Sequence, residues 1–164
     1  MLREIAMAAA LMGAATSAFG WEHSARSNPI DDSTIYTISV SAAEATLDRF
    51  GSRGTADLVI QCENNTTLLA VLFSNLYVSD HGNWGIATFR ADSEPAFQQK
   101  MIGSNDHASL AVRGEEAIRL IKKFMSAEEL FTRVLPVNES STDLTFDVRG
   151  AQVALKSIRE KCGW

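Results

Sequence analysis

After residue 33 the chain alternates apolar and polar positions at a period of two, and it shifts to a helical period only twice. Thr34–Ser41 is rich in β-branched side chains and predicts a strand. Tyr36, Ile38 and Val40 form its more apolar face and are expected to meet the core, with Ile35, Thr37 and Ser39 opposite. Residues 56–62 predict a second strand, in which Ala56, Leu58, Ile60 and Cys62 share one side. Asn64-Asn65 reads as a hairpin turn into a strand over 67–73. A further strand spans 84–90, with Trp84, Ile86 and Thr88 on one face and Gly85, Ala87 and Phe89 on the other. Shorter strands are expected at 97–102 and 108–112, around a turn at 103–106, and at 130–135 and 144–148. The polar stretch 21–33, with Pro29 and Asp31-Asp32, reads as a leading segment and turn. The Ala-rich stretch 42–47 fits either a short helix or more sheet, and propensity alone does not choose.

The helical period appears first at 115–125. Ala117, Ile118, Ile121, Phe124 and Met125 line one face there, and Glu115, Glu116, Arg119, Lys122 and Lys123 cover the other. Its acidic residues come first and its basic ones later, as the helix dipole favours. It appears again at 150–161, where Ala151, Leu155, Ile158 and Cys162 follow one another at steps of four, three and four. With no internal repeat or linker between these elements, the expected fold is a single α+β domain over 21–164. It is mainly an antiparallel β-sheet, sandwich-like, with an amphipathic helix near 115–125 and a C-terminal helix near 150–161.

The N-terminus changes the picture. Arg3 precedes an uncharged apolar run over 5–15, and Ala18 and Gly20 supply small residues three and one positions before Trp21. That is the pattern of a cleavable signal peptide over 1–20, and the run falls short of the roughly 20 residues a bilayer span requires. No later segment is apolar for long enough to cross a membrane, so no stable membrane insertion is expected once the leader is removed. The net charge of −5 is unaffected by that removal, because Arg3 and Glu4 leave together. An acidic balance argues against nucleic acid as a partner, since neutralising phosphates takes a basic face.

Export gives the two cysteines a meaning. In an oxidising compartment an even count points to a bridge. Cys62 lies on the apolar side of its strand and Cys162 on the apolar stripe of its helix, so both thiols are directed toward one core. A Cys62–Cys162 disulfide is therefore expected, pinning the C-terminal helix to the sheet.

Catalytic signatures are scarce. The chain has no nucleophile-elbow motif, no phosphate-cradling glycine loop and no zinc-type spacing of Cys and His. Asp80-His81 and Asp106-His107 are the sharpest metal or acid/base candidates, but neighbours on a strand face opposite ways and both pairs fall in turns, so solvated turn residues are the better reading. No metal, cofactor or catalytic role is assigned. The residues chosen as binding candidates are Trp84, Arg90, Asp92 and Asp106. Arg90 and Asp92 would share one side of a strand, where an ion pair or a ligand contact is available, and Trp and Arg are the types that most often anchor interfaces.

Several stretches carry a family resemblance. They are the start at Trp21, Asp31-Asp32-Ser33-Thr34, Leu58-Val59-Ile60-Gln61-Cys62 before Asn65-Thr66-Thr67, Phe89-Arg90-Ala91-Asp92 and Ser104-Asn105-Asp106. The most specific is the ending, Phe146-Asp147-Val148-Arg149-Gly150 through Arg159 to Cys162-Gly163-Trp164. With these the chain resembles the VasI/TagO-like proteins, periplasmic accessory components associated with type VI secretion. The resemblance implies a periplasmic accessory component with an envelope or secretion-system protein as partner. Because no nucleophile–base pair is visible, it is expected to act by protein–protein interaction and not as an enzyme, which disfavours a small hydrolase. A periplasmic inhibitor or immunity-like protein that blocks a cell-wall enzyme is the alternative.

Overall fold

The computed structural model describes residues 18–79 and 83–164. The expected leader lies outside the described residues except for Ala18–Gly20, a single 3-10 turn, and the Asp80-His81 pair lies outside them as well. Eleven strands follow: β1 (Glu22–Ser27), β2 (Thr34–Ser41), β3 (Thr46–Leu47), β4 (Arg53–Gly54), β5 (Ala56–Glu63), β6 (Thr66–Phe73), β7 (Trp84–Ala91), β8 (Phe97–Gly103), β9 (Ser109–Arg113), β10 (Glu129–Val134) and β11 (Thr142–Asp147). Three helices accompany them: α1 (Gly114–Phe124), α2 (Ala151–Ala154) and α3 (Lys156–Cys162). The expected α+β class with a mainly antiparallel sheet is what forms.

Nine strands make one antiparallel sheet in the order β1-β2-β5-β6-β9-β8-β7-β10-β11, and β3 and β4 form a small ladder beside it. The sheet curls on itself. The chain leaving β2 reaches β11, where Ala42 bridges Phe146 and the Ala43 N–H donates to the Thr145 carbonyl at 2.8 Å. The Glu44 carboxylate completes the seam by accepting from the Thr145 N–H and hydroxyl at 2.7 and 2.8 Å. The stretch 42–47 thus forms no helix and continues as sheet in two short pieces, the Ala42 bridge and β3.

Alternation decides what the curled sheet encloses. Ile38 and Val40 of β2, the Ala56-Leu58-Ile60-Cys62 face of β5, and Leu69, Val71 and Phe73 of β6 are all buried in one core. From the helices, Ala117, Leu120, Ile121 and Phe124 of α1 and Ile158 and Cys162 of α3 join it. In α1 the buried stripe runs through Leu120, and Ile118 is only partly covered, a rotation of the expected face by part of a turn. Cys62 and Cys162 are bonded, with their Cα atoms 5.9 Å apart, and they tie α3 to β5 across 100 residues of sequence. In the loop-entropy account such a loop contributes up to about 4.7 kcal/mol.

Two features depart from expectation. The polar stretch 21–33 contains a strand, β1, paired with β2 from Glu22↔Ser39 to Ser27↔Thr34. All six of its residues are exposed, so an edge strand with water on both faces leaves no apolar alternation to read. Trp21, just before it, is fully buried, and its indole N–H donates to the Arg149 carbonyl at 3.0 Å. The C-terminal helix is broken into α2 and α3 at Leu155.

Candidate functional site

An antiparallel sheet with one face on a core normally turns polar side chains to the solvent on the other. The outer face here departs from that rule at β7 and β8. Trp84, Ile86, Thr88 and Arg90 of β7 alternate with the inward Gly85, Ala87, Phe89 and Ala91, and all four of the outward set lie at least partly in water. Trp84 stands opposite Ile102 of β8, and Ile86 stands opposite Lys100. Ile102 is 64% exposed, Ile86 44% and Trp84 39%. Three large apolar side chains therefore meet on the solvent side of two paired strands.

The register extends this patch. Ser39, Val59, Ala70, Ala111, Ile102 and Trp84 are successive partners across β2, β5, β6, β9, β8 and β7. The first four are small or medium-sized, so they form a low floor from which Ile102 and Trp84 rise. Lys100 lays its ammonium over the Trp84 ring, 4.5 Å from the centroid, a cation–π contact that holds the indole in place.

Six residues along β7, about 20 Å at strand rise, is Arg90. It pairs across the sheet with Phe131 of β10, which in turn pairs with Thr145 of β11. Beside it opens a hollow of about 350 Å³ lined by Thr88, Arg90, Phe131, Arg133, Asp143 and Thr145. Arg133 donates to Asp143 through Nε and Nη2, both at 2.6 Å. Those hydrogen bonds hold the Asp143 carboxyl below the usual carboxylate range and raise the guanidinium in turn. Arg90 has no carboxylate partner among the described residues.

The other candidates go elsewhere. Asp92 does not continue the pleat of β7 and does not pair with Arg90. Its φ of 45° turns it away, and its carboxylate accepts the backbone N–H groups of Glu128 and Glu129, at 3.0 and 2.9 Å to Oδ1. It fastens the start of β10 to the end of β7. Asp106 accepts from the Ser104 hydroxyl and from the Ala108 N–H at 3.1 Å, bonds that lower its carboxyl pKa, the hydroxyl contributing most. His107, next in that loop, has its Nδ1 2.9 Å from Ser79 Oγ in the connection that precedes β7. Trp84 and Arg90 are thus brought to one face, and Asp92 and Asp106 are engaged in turns apart from them.

Sequence reasoning missed Ile86, Lys100, Ile102 and Phe131 as parts of this face. The available signal was that both faces of 84–90 are apolar, which one buried side does not require. Among the described residues there is no group of three or more His, Cys, Asp or Glu placed to hold a metal, and no helix long and apolar enough to cross a membrane.

Comparison with known protein families gives a match over nearly the whole chain. The family described as type VI secretion system VasI, EvfG, VC_A0118 matches residues 6–164. The chain belongs to the VasI family. Comparisons with curated proteins and with solved structures return no match. The VasI match includes every strand and helix of the domain and the whole outer face from Trp84 to Arg90. Membership associates the chain with type VI secretion.

Proposed function

We propose that this VasI-family protein is exported to the periplasm and serves type VI secretion there as a non-enzymatic accessory component, holding a protein partner on the outer face of β7, β8 and β10. The observation that carries this reading is the exposed Trp84–Ile86–Ile102 cluster. Large apolar side chains gathered on a solvated sheet face weaken solubility and add little to the fold, so their presence together points to a surface that is covered in use. The apolar leader over 5–15 and the disulfide are both consistent with life in an oxidising compartment. A sheet closed by its own seam and pinned by a disulfide presents this face rigidly, so binding to it orders few side chains.

The test is complementation of a deletion strain with the Trp84→Ala/Ile102→Ser double variant. With periplasmic abundance equal to wild type, export through the type VI apparatus should fall at least tenfold. Undiminished export would remove the outer face from the function. Fractionation and N-terminal sequencing of the same material should recover a periplasmic protein beginning at Trp21. Material found only in the cytosol and starting at Met1 would defeat the export reading.

A further inference from the structure

We infer that the outer face receives a segment of a protein partner about 20 Å long, aliphatic at one end and carrying a carboxylate at the other. This rests on the binding reading above and specifies the chemistry of what binds. The chain as a whole is acidic, at −5, yet the outward side chains along this strip of β7, β8 and β10 include Arg90, Lys100 and Arg133 against Asp143. Arg133 and Asp143 answer each other, which leaves Arg90 and Lys100 as the strip's cations with no carboxylate partner among the described residues. Lys100 is occupied with the Trp84 ring and marks the apolar end. Arg90 is the receptor at the other end, because its guanidinium stands beside the hollow with no carboxylate partner among the described residues, and a guanidinium takes a carboxylate through two parallel hydrogen bonds. Beyond Arg90 lie Glu129 and, opposite it, Asp147, which is already paired with Arg149.

The same charges select among occupants. A second copy of this chain docked face to face would set a cationic end against a cationic end in either direction, since Lys100 and Arg90 mark the two ends. A bilayer surface would lie across the hollow at Arg90 without filling it, whereas a side chain projecting from a peptide segment fills it.

Panning a phage-displayed random peptide library on the disulfide-bonded protein reads the partner chemistry directly. The peptides enriched should combine Leu, Ile or Phe with Asp or Glu. Affinity of a selected peptide should fall at least tenfold on Arg90→Glu, and separately on Ile102→Ser or Lys100→Glu, with melting temperatures unchanged. Replacing the peptide's carboxylate by an amine should restore its binding to the Arg90→Glu protein. Enrichment without acidic residues, or binding indifferent to Arg90→Glu, would overturn the inference. It would also be overturned if Arg90→Glu abolished binding to phosphatidylglycerol vesicles while peptide binding persisted, or if Ile102→Ser dissolved a concentration-dependent dimer. Should the peptide chemistry fail while Trp84→Ala/Ile102→Ser still blocks export, the face is right and its ligand wrong. Should that variant export normally, the binding reading itself falls.

Discussion

Strand β7 has two faces with opposite requirements. Inward, Gly85, Ala87, Phe89 and Ala91 are chosen for fit: a Cβ on Gly85 would lie 2.6 Å from the Val78 carbonyl oxygen and 2.8 Å from Leu110 Cδ2. Phe89, fully buried, fills the space those small residues leave. Outward, Trp84, Ile86 and Arg90 meet no such constraint, and Thr or Lys would satisfy the strand as well. Residues on the inner face are explained by the fold they complete, and residues on the outer face are explained only by something that touches them. The two faces should therefore respond to mutation in opposite ways, one in stability and the other in activity.

The largest stability loss is expected inside. Phe89→Ala should cost about 3–5 kcal/mol, the range for truncating a buried aromatic, read as a lowered midpoint in urea. Cys162→Ala should cost about 2–5 kcal/mol in melting experiments, and reduction of the wild type should bring the two proteins together. Asp92→Ala, which frees two backbone N–H groups at the head of β10, should cost about 1–3 kcal/mol and should raise amide exchange at Glu128 and Glu129. Ile102→Ser, outside, should shift stability by no more than about 0.5 kcal/mol. A loss above 2 kcal/mol there would mean that the outer face belongs to the core after all.

The smallest effect is electrostatic and sits on the outer face. The Asp143 carboxyl is held below its ordinary value of 3.8 chiefly by the Arg133 hydrogen bonds. A depressed carboxyl stabilises the fold at neutral pH, and that contribution is lost as pH falls through the folded-state value. The stability difference between wild type and Asp143→Asn should therefore be constant above about pH 5 and shrink below the ordinary carboxyl value. Because both side chains are largely solvated, added salt should reduce the difference at every pH.

How much of this the sequence discloses follows the same division. Burial writes a period into the chain, so the Ala56-Leu58-Ile60-Cys62 face and the stripe ending at Cys162 are legible, and with them the disulfide. Strand β1 is illegible because water lies on both sides of it and no position needs to be apolar. Asp92 looks like a surface ligand in sequence because its role depends on a positive φ that turns it back onto the chain. Trp84 and Arg90 are legible as residue types suited to interfaces, but their companions are not. Periodicity cannot say which of two apolar faces of 84–90 meets water, and only strand pairing brings Ile102 and Phe131 beside them.

Site-specific photo-crosslinking in living cells tests the central claim most directly. A photoreactive amino acid would be placed at Ile102 and, as a control, at Val153, an apolar residue on α2 that is 79% exposed. Irradiation should give one discrete heavier adduct from position 102, lost when Arg90→Glu is added, and none from position 153. No adduct at 102, or the same adducts from both positions, would contradict a dedicated partner on the outer face.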